Sequence, residues 1–228
     1  MATYLICHGA WSAGWAWKKV RPLLREAGHE VFTPSYTGLG ERAHLAHPMV
    51  NLETHVEDIV GVIGAEDLHN LVLVGHSYGG MVATGVADRV PARIAQLVYL
   101  DAFVPGNGQS LNDLVGRDGP APAIEGWLMP PNPPAADTSP EDLAWVTPRR
   151  LHHPARCFSQ KLMLAHGAPE VPRTYIHCTK KTGPDVFAQF AARFRSAPGW
   201  RFHEMAESHS PNITAPAALA RLLLSVAG

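Results

Sequence analysis

The chain predicts an α/β fold, a six-stranded, mainly parallel sheet flanked by helices, and three observations predict it. Short apolar runs alternate with amphipathic helical stretches, the pattern of parallel strands joined by helical crossovers. Turn residues such as Gly28, Pro34 and Gly38 punctuate the joins. A length of 228 residues suffices for one sizeable core and is short for two full domains.

Thr3 to Cys7 is the first expected strand, an apolar run ending in His8-Gly9-Ala10. Trp15 to Ala27 follows as a helix closed by Gly28, with Pro22 marking either a kink or its true start. His29 to Thr33 is the second strand, and residues 34–50 form a loop with turn chemistry. After Asn51, an expected N-cap, Leu52, Val56, Ile59, Val60 and Ile63 recur at helical spacing. Leu71 to Val74 is the third strand, Gly79 to Arg89 the helix after it, and Ile94 to Leu100 the fourth strand. Thr174 to Cys178 and Trp200 to Met205 complete the sheet, with helices around Val186 to Arg195 and Ala217 to Val226.

The rhythm breaks between the fourth and fifth strands. Residues 105–172 are rich in Pro and Gly, as in Gly119-Pro-Ala-Pro122 and Met129-Pro-Pro-Asn-Pro-Pro134. They also carry Trp127, Leu128, Met129, Trp145, Leu151 and Phe158, apolar groups that need burial. A small cap over a pocket is therefore expected, dividing the chain into a core (1–104 and 173–228) and a cap (105–172); a disordered insertion is the alternative.

Composition narrows the function classes. A formal net charge of −1 with scattered Lys and Arg offers no footprint for nucleic acid or an anionic membrane, so small neutral or weakly charged partners are expected. There is no basic leader, and no run reaches the roughly 18 apolar residues of a membrane span, so a soluble cytoplasmic protein is expected. Cys7, Cys157 and Cys178 lack metal-ligand spacing and are expected as small core residues; no metal is expected.

Gly75-His76-Ser77-Tyr78-Gly79 matches G-x-S-x-G between a buried strand and a helix. That context gives the motif its meaning. A sharp strand-to-helix turn strains the serine backbone, the flanking glycines make room, and the hydroxyl rises above the sheet edge as a nucleophile. The helix N-terminus behind it favours a developing oxyanion. Backbone donors for that oxyanion are expected from Ala10, after the first strand, and from Tyr78. The base must follow the last strand, where Glu207-Ser-His209-Ser-Pro211 supplies His209. His203 lies within that strand, and strand geometry is expected to point His76 away from the edge.

The orienting acid is less plain. The loop after the fifth strand carries Lys180 and Lys181 where a carboxylate is wanted, and Asp185 beyond them fits the first turn of a helix. Asp101 is preferred, because it ends the strand beside the nucleophile strand and its buried charge needs a partner such as His209. Asp185 remains the alternative.

His8-Gly-Ala-Trp-Ser-Ala-Gly-Trp-Ala-Trp17, Gly75-His-Ser-Tyr-Gly-Gly80, Tyr175-Ile-His-Cys-Thr179 and the late His209 together resemble the plant methylesterase and hydroxynitrile lyase branch of the α/β-hydrolase fold, with its bacterial esterase relatives. The resemblance runs through nearly the whole chain and is weakest in the cap. It implies the strand order second-first-third-fourth-fifth-sixth, a mechanism without a cofactor and a possible homodimer. Lyases of this group replace the glycine of the His-Gly pair with Thr or Asn, and one class places a lysine after the histidine; Gly9 and Ser210 here favour an esterase. The family's acid does not carry over. Haloalkane dehalogenases are similar in another respect, many holding a carboxylate where Asp101 stands.

The expected function is that of a serine carboxylesterase acting on small to medium apolar or aromatic esters through an acyl-enzyme. Phe103, Trp127, Leu128, Trp145 and Phe158 are its candidate pocket residues. A C–C lyase acting on cyanohydrins, or a small-molecule receptor that does not hydrolyse its ligand, are the alternatives; an amidase or lactonase would use the same residues.

Overall fold

The computed structural model describes residues 1–117, 123–167 and 169–227. The Gly119 to Pro122 stretch anticipated as part of the cap lies outside them.

Six strands form one sheet: β1 (Thr3–Cys7), β2 (Glu30–Phe32), β3 (Leu71–His76), β4 (Ile94–Leu100), β7 (Arg173–Cys178) and β8 (Trp200–Met205). Two further short strands, β5 (Leu128–Met129) and β6 (His153–Pro154), pair antiparallel in the insertion. The main sheet runs in the order β2-β1-β3-β4-β7-β8, and every pairing in it is parallel. This is the expected order. All six residues of β3 are buried, as a strand covered on both faces requires. It runs two residues further than its apolar pattern indicated, because Gly75 pairs with Tyr99 and His76 with Leu100.

Alternation along the strands feeds two apolar layers. Leu5, Cys7, Leu71, Leu73, Leu97, Tyr99 and Tyr175 pack with α2 (Leu52–Ala65), α3 (Gly79–Arg89) and α7 (Ala188–Phe194) on one face. Tyr4, Ile6, Val72, Val74, Val98, Leu100 and Ile176 pack with α1 (Val20–Glu26) and α9 (Pro216–Val226) on the other. Cys7, Cys157 and Cys178 are free and buried, the core role expected of them.

Local signals account for the helix ends. Asn51 caps α2 through its side chain, which accepts from the Thr54 N–H at 3.0 Å, while Thr54 Oγ1 accepts from the Asn51 N–H. Helix α1 starts at Val20 rather than Trp15, behind a 3-10 turn at Gly14–Trp17. Pro22 then falls in its first turn, where no intrahelical N–H is needed. At the other end the Gly28 N–H reaches Arg25 O and the His29 N–H reaches Leu24 O, the paired bonds of a glycine-terminated helix.

The described residues of the insertion include short elements: α4 (Leu111–Leu114), β5, α5 (Pro140–Val146), β6 and α6 (Arg156–Ser159). Met129, Val146 and Phe158 from it are buried. Among the described residues, no helix is long and apolar enough to cross a membrane.

Candidate active site

The turn after β3 holds Ser77 at φ +56°, a left-handed conformation that costs a non-glycine residue about 1–3 kcal/mol. Its neighbours show why the motif needs glycine. A Cβ on Gly79 would stand 2.0 Å from Cys7 O, and one on Gly80 would stand 2.1 Å from Phe103 O. Helix α3 thus packs against the ends of β1 and β4 closely enough to pin the turn. Backbone bonds fix it further: the Ser77 N–H donates to Leu100 O, and Ser77 O accepts from the Gly80 and Phe103 N–H groups.

His209 lies in the loop after β8, with its side chain 35 % exposed. The Ser77 hydroxyl donates to its Nε2 at 3.0 Å, and its Nδ1 donates to Asp101 Oδ2 at 2.6 Å. Serine, imidazole and carboxylate therefore meet at the carboxyl edge of the sheet, contributed by the ends of β3, β8 and β4.

Asp101 is fully buried at φ +42°. Its Oδ1 accepts from the Cys178 N–H at 3.2 Å. Its Oδ2 accepts from His209 and also from Lys181, whose side chain is 17 % exposed. Burial alone would raise the Asp101 pKa; the bond from His209 and the nearby ammonium outweigh it and hold the carboxyl below its usual range. Asp185 faces elsewhere. Its Oδ2 accepts from His177 Nε2 at 2.8 Å and its Oδ1 from the Phe187 N–H, so it caps a turn before α7 instead of orienting His209.

Three contacts escaped the sequence pattern. Lys181 occupies the loop where an acid was sought and serves as counter-ion to the acid on β4. Phe187 stacks on the His209 ring at 4.8 Å and 12°. His76 corrects the expectation that it points away from the edge. The His209 loop wraps the face of β3 that His76 occupies, so His76 Nε2 donates to His209 O at 2.8 Å and the two rings lie 4.9 Å apart. Only contacts between distant segments define these roles, and no local motif marks them.

The neighbouring backbone leaves two donors free. Among the described residues, neither the Ala10 nor the Tyr78 N–H donates to a protein acceptor. Gly9 lies so close to Ser77 that an added Cβ would stand 3.2 Å from Ser77 Cβ and from His76 Nδ1. Of the expected pocket residues, Phe103 packs at 4.9 Å on Phe187, and Phe158 packs on Trp11, Tyr78 and His153. Trp127 and Leu128 sit half-buried at the β5 end of the insertion. Trp145 stands against Trp15 at 5.5 Å and under the Lys19 ammonium, not against these rings.

Behind the site lies a second cluster. Ring nitrogens of His55 and His153 and Sγ of Cys157 come within 4.8 Å of one another, all buried. Both His55 nitrogens are already engaged, with Tyr78 Oη at 2.9 Å and Thr37 O at 3.1 Å, so the group is a neutral hydrogen-bonded core rather than an open ligand set.

Burial lowers the pKa of His8, His55 and His76 to about 3, and that of His153 well below 6.5. Well above pH 6.5 these imidazoles are neutral in both folded and unfolded chains. Below it, down to about pH 3, the unfolded chain binds protons that the folded chain refuses, so stability falls with falling pH. All four act in the same direction. The urea midpoint is therefore expected to fall as pH drops from 7 to 5; a flat midpoint across that interval would contradict neutral burial.

Lys181 makes a second pH-dependent prediction. Lys181→Met removes a cation beside the Asp101–His209 pair, which favours protonation of that pair. The acid limb of the kcat/KM profile is expected to move to higher pH. An unmoved limb in a folded variant would remove Lys181 from the electrostatics of the site.

Comparison with known proteins places the chain. The model of the "Alpha/beta hydrolase family" matches residues 4–222. A carbendazim hydrolyzing esterase from Nocardioides sp. (strain SG-4G) is 39% identical, covering 99% of this chain and 100% of its own. Salicylic acid-binding protein 2 of Nicotiana tabacum is 27% identical over 82% of each chain. Among solved structures, an extracellular alpha/beta-hydrolase from a Paenibacillus species, described as sharing structural and functional homology with the tobacco protein, superposes with a TM-score of 0.82 at 25% identity. It covers 99% of this chain and 98% of its own.

Proposed function

Because the chain belongs to the alpha/beta hydrolase family, we propose that it is a serine carboxylesterase working through Ser77, His209 and Asp101. One observation carries this reading: a single imidazole bonds the Ser77 hydroxyl on one side and the buried Asp101 carboxylate on the other.

His209 Nε2 takes the hydroxyl proton as Ser77 Oγ adds to the ester carbonyl. Asp101 holds the tautomer with the proton on Nδ1 and stabilises the imidazolium as it forms. The N–H groups of Ala10 and Tyr78 receive the developing oxyanion; losing one such donor costs about 3 kcal/mol of transition-state stabilisation. The imidazolium then protonates the leaving alkoxide, and water repeats the sequence on the acyl-enzyme to release acid and regenerate the hydroxyl.

Small to medium apolar or aromatic esters fit best, with residues 105–172 acting as a cap over the site. Phe103, Phe158 and Phe187 supply rings around the reacting groups. The similarity, over nearly all of both chains, to a carbendazim hydrolyzing esterase supports ester hydrolysis as the reaction class. Gly9 and Ser210 count against cyanohydrin cleavage, since lyases of the branch replace that glycine and one class of them places a lysine after the histidine.

The test compares p-nitrophenyl acetate, butyrate and benzoate with mandelonitrile. Butyrate and benzoate are expected to turn over at least tenfold faster than acetate in kcat/KM, with no mandelonitrile cleavage. Equal rates would remove the apolar preference. Mandelonitrile cleavage without ester turnover would replace the esterase by the lyase, and tight binding of esters without acylation would replace it by a receptor.

A further inference from the structure

Trp11 follows the proposed oxyanion donor Ala10 and adopts φ +55°, a left-handed conformation that a bulky residue avoids unless its surroundings impose it. Two hydrogen bonds impose it here. The Trp11 backbone N–H donates to His153 Nδ1 at 3.2 Å, and the indole Nε1–H donates to Met129 O at 3.0 Å. Both acceptors belong to the β5–β6 pair of the insertion. The oxyanion loop is thus tied at two points to a part of the chain far from it in number.

His153 is a costly choice for this position. It is fully buried, with its ring packed on Phe158 at 4.7 Å, Tyr78 at 5.0 Å and His55 at 5.4 Å. Accepting at Nδ1 requires the neutral tautomer with its proton on Nε2, and Nε2 finds no partner among the described residues. A phenylalanine would fill the space without that orphan. It would not accept the Trp11 N–H. The same ring also touches Tyr78, which carries the other proposed donor.

We propose that His153 is a positioning residue of the oxyanion hole, fixing the Ala10–Trp11 backbone from the insertion while its ring backs Tyr78. The proposal rests on the esterase reading given above. It makes the insertion part of the catalytic apparatus rather than a cover alone.

Three variants test it: His153→Phe, His153→Asn and His153→Gln, each assayed for kcat and KM on p-nitrophenyl butyrate and for the rate of Ser77 phosphonylation by a fluorophosphonate, with thermal melting as the folding control. His153→Phe removes the acceptor, and kcat and the phosphonylation rate are expected to fall about 10- to 100-fold with KM within about threefold. His153→Asn returns an acceptor near the Nδ1 position and is expected to recover at least a tenfold share. His153→Gln places its acceptor nearer the Nε2 position and is expected to remain impaired, so the Asn–Gln contrast decides the matter even if the Phe variant does not fold. Unchanged kcat in folded His153→Phe, or equal rates in the Asn and Gln variants, would overturn the proposal while leaving the esterase reading in place. Failure of the unmodified protein to react at Ser77 would remove both.

Discussion

Ser77→Ala is expected to reduce ester turnover by about 10⁴- to 10⁶-fold while leaving the melting temperature within a few degrees of the parent. The loss follows from the covalent step. Without Oγ no acyl-enzyme forms, and only the backbone donors and binding remain to accelerate attack by water. The fold should tolerate the change because the turn is held by backbone bonds to Leu100, Gly80 and Phe103 and by the close approach of Gly79 to β1, none of which uses the hydroxyl. Steady-state rates on p-nitrophenyl butyrate, with circular dichroism melts as control, check it. A folded Ala variant within tenfold of the parent would show that hydrolysis occurs without this serine.

Asp101→Asn is the second large effect, a fall in kcat of about 10⁴-fold, whereas Asp185→Asn should stay within about threefold. The carboxylate accepts from three donors: His209 Nδ1, Lys181 and the Cys178 N–H. An amide in its place accepts through one atom and donates through the other. It favours the wrong histidine tautomer and leaves the Lys181 ammonium only the more distant Asp185 carboxylate, at 3.8 Å. Asp185 makes its bonds to His177 and to the start of α7, so its loss should register in melting rather than in rate. Equal losses from the two substitutions, or a full rate in Asp101→Asn, would reverse the assignment of the acid.

Much of the frame was legible because its signals are local. Buried parallel strands read as apolar runs, and Ile94–Leu100 and Thr3–Cys7 appear where their runs lie. The Gly-rich turn at Ser77 announces itself through glycines that the packing of α3 demands. The cap of α2 at Asn51 was visible for the same reason. Asp101 was accessible by a longer argument, from strand order and the cost of an unpaired buried charge.

What escaped depends on contacts between segments distant in number. Two lysines after β7 looked like a gap in the expected machinery; in three dimensions, Lys181 is the counter-ion of an acid contributed by another strand. His76 obeys strand alternation, yet the loop after β8 folds across its face and turns it into a support for His209. The start of α1 shifted because a 3-10 turn preserves the helical look of Trp15 to Lys19. His153 lies in the Pro-rich insertion, where no periodicity indicates which side chain meets the core.

The most direct test of the central claim is intact-mass and peptide-level mass spectrometry after treatment with a fluorophosphonate. One adduct per chain, mapped to Ser77, lost in Ser77→Ala and slowed at least a hundredfold in His209→Ala, is the predicted result. An adduct on another residue, or labelling of Ser77→Ala at the parent's rate, would contradict the account.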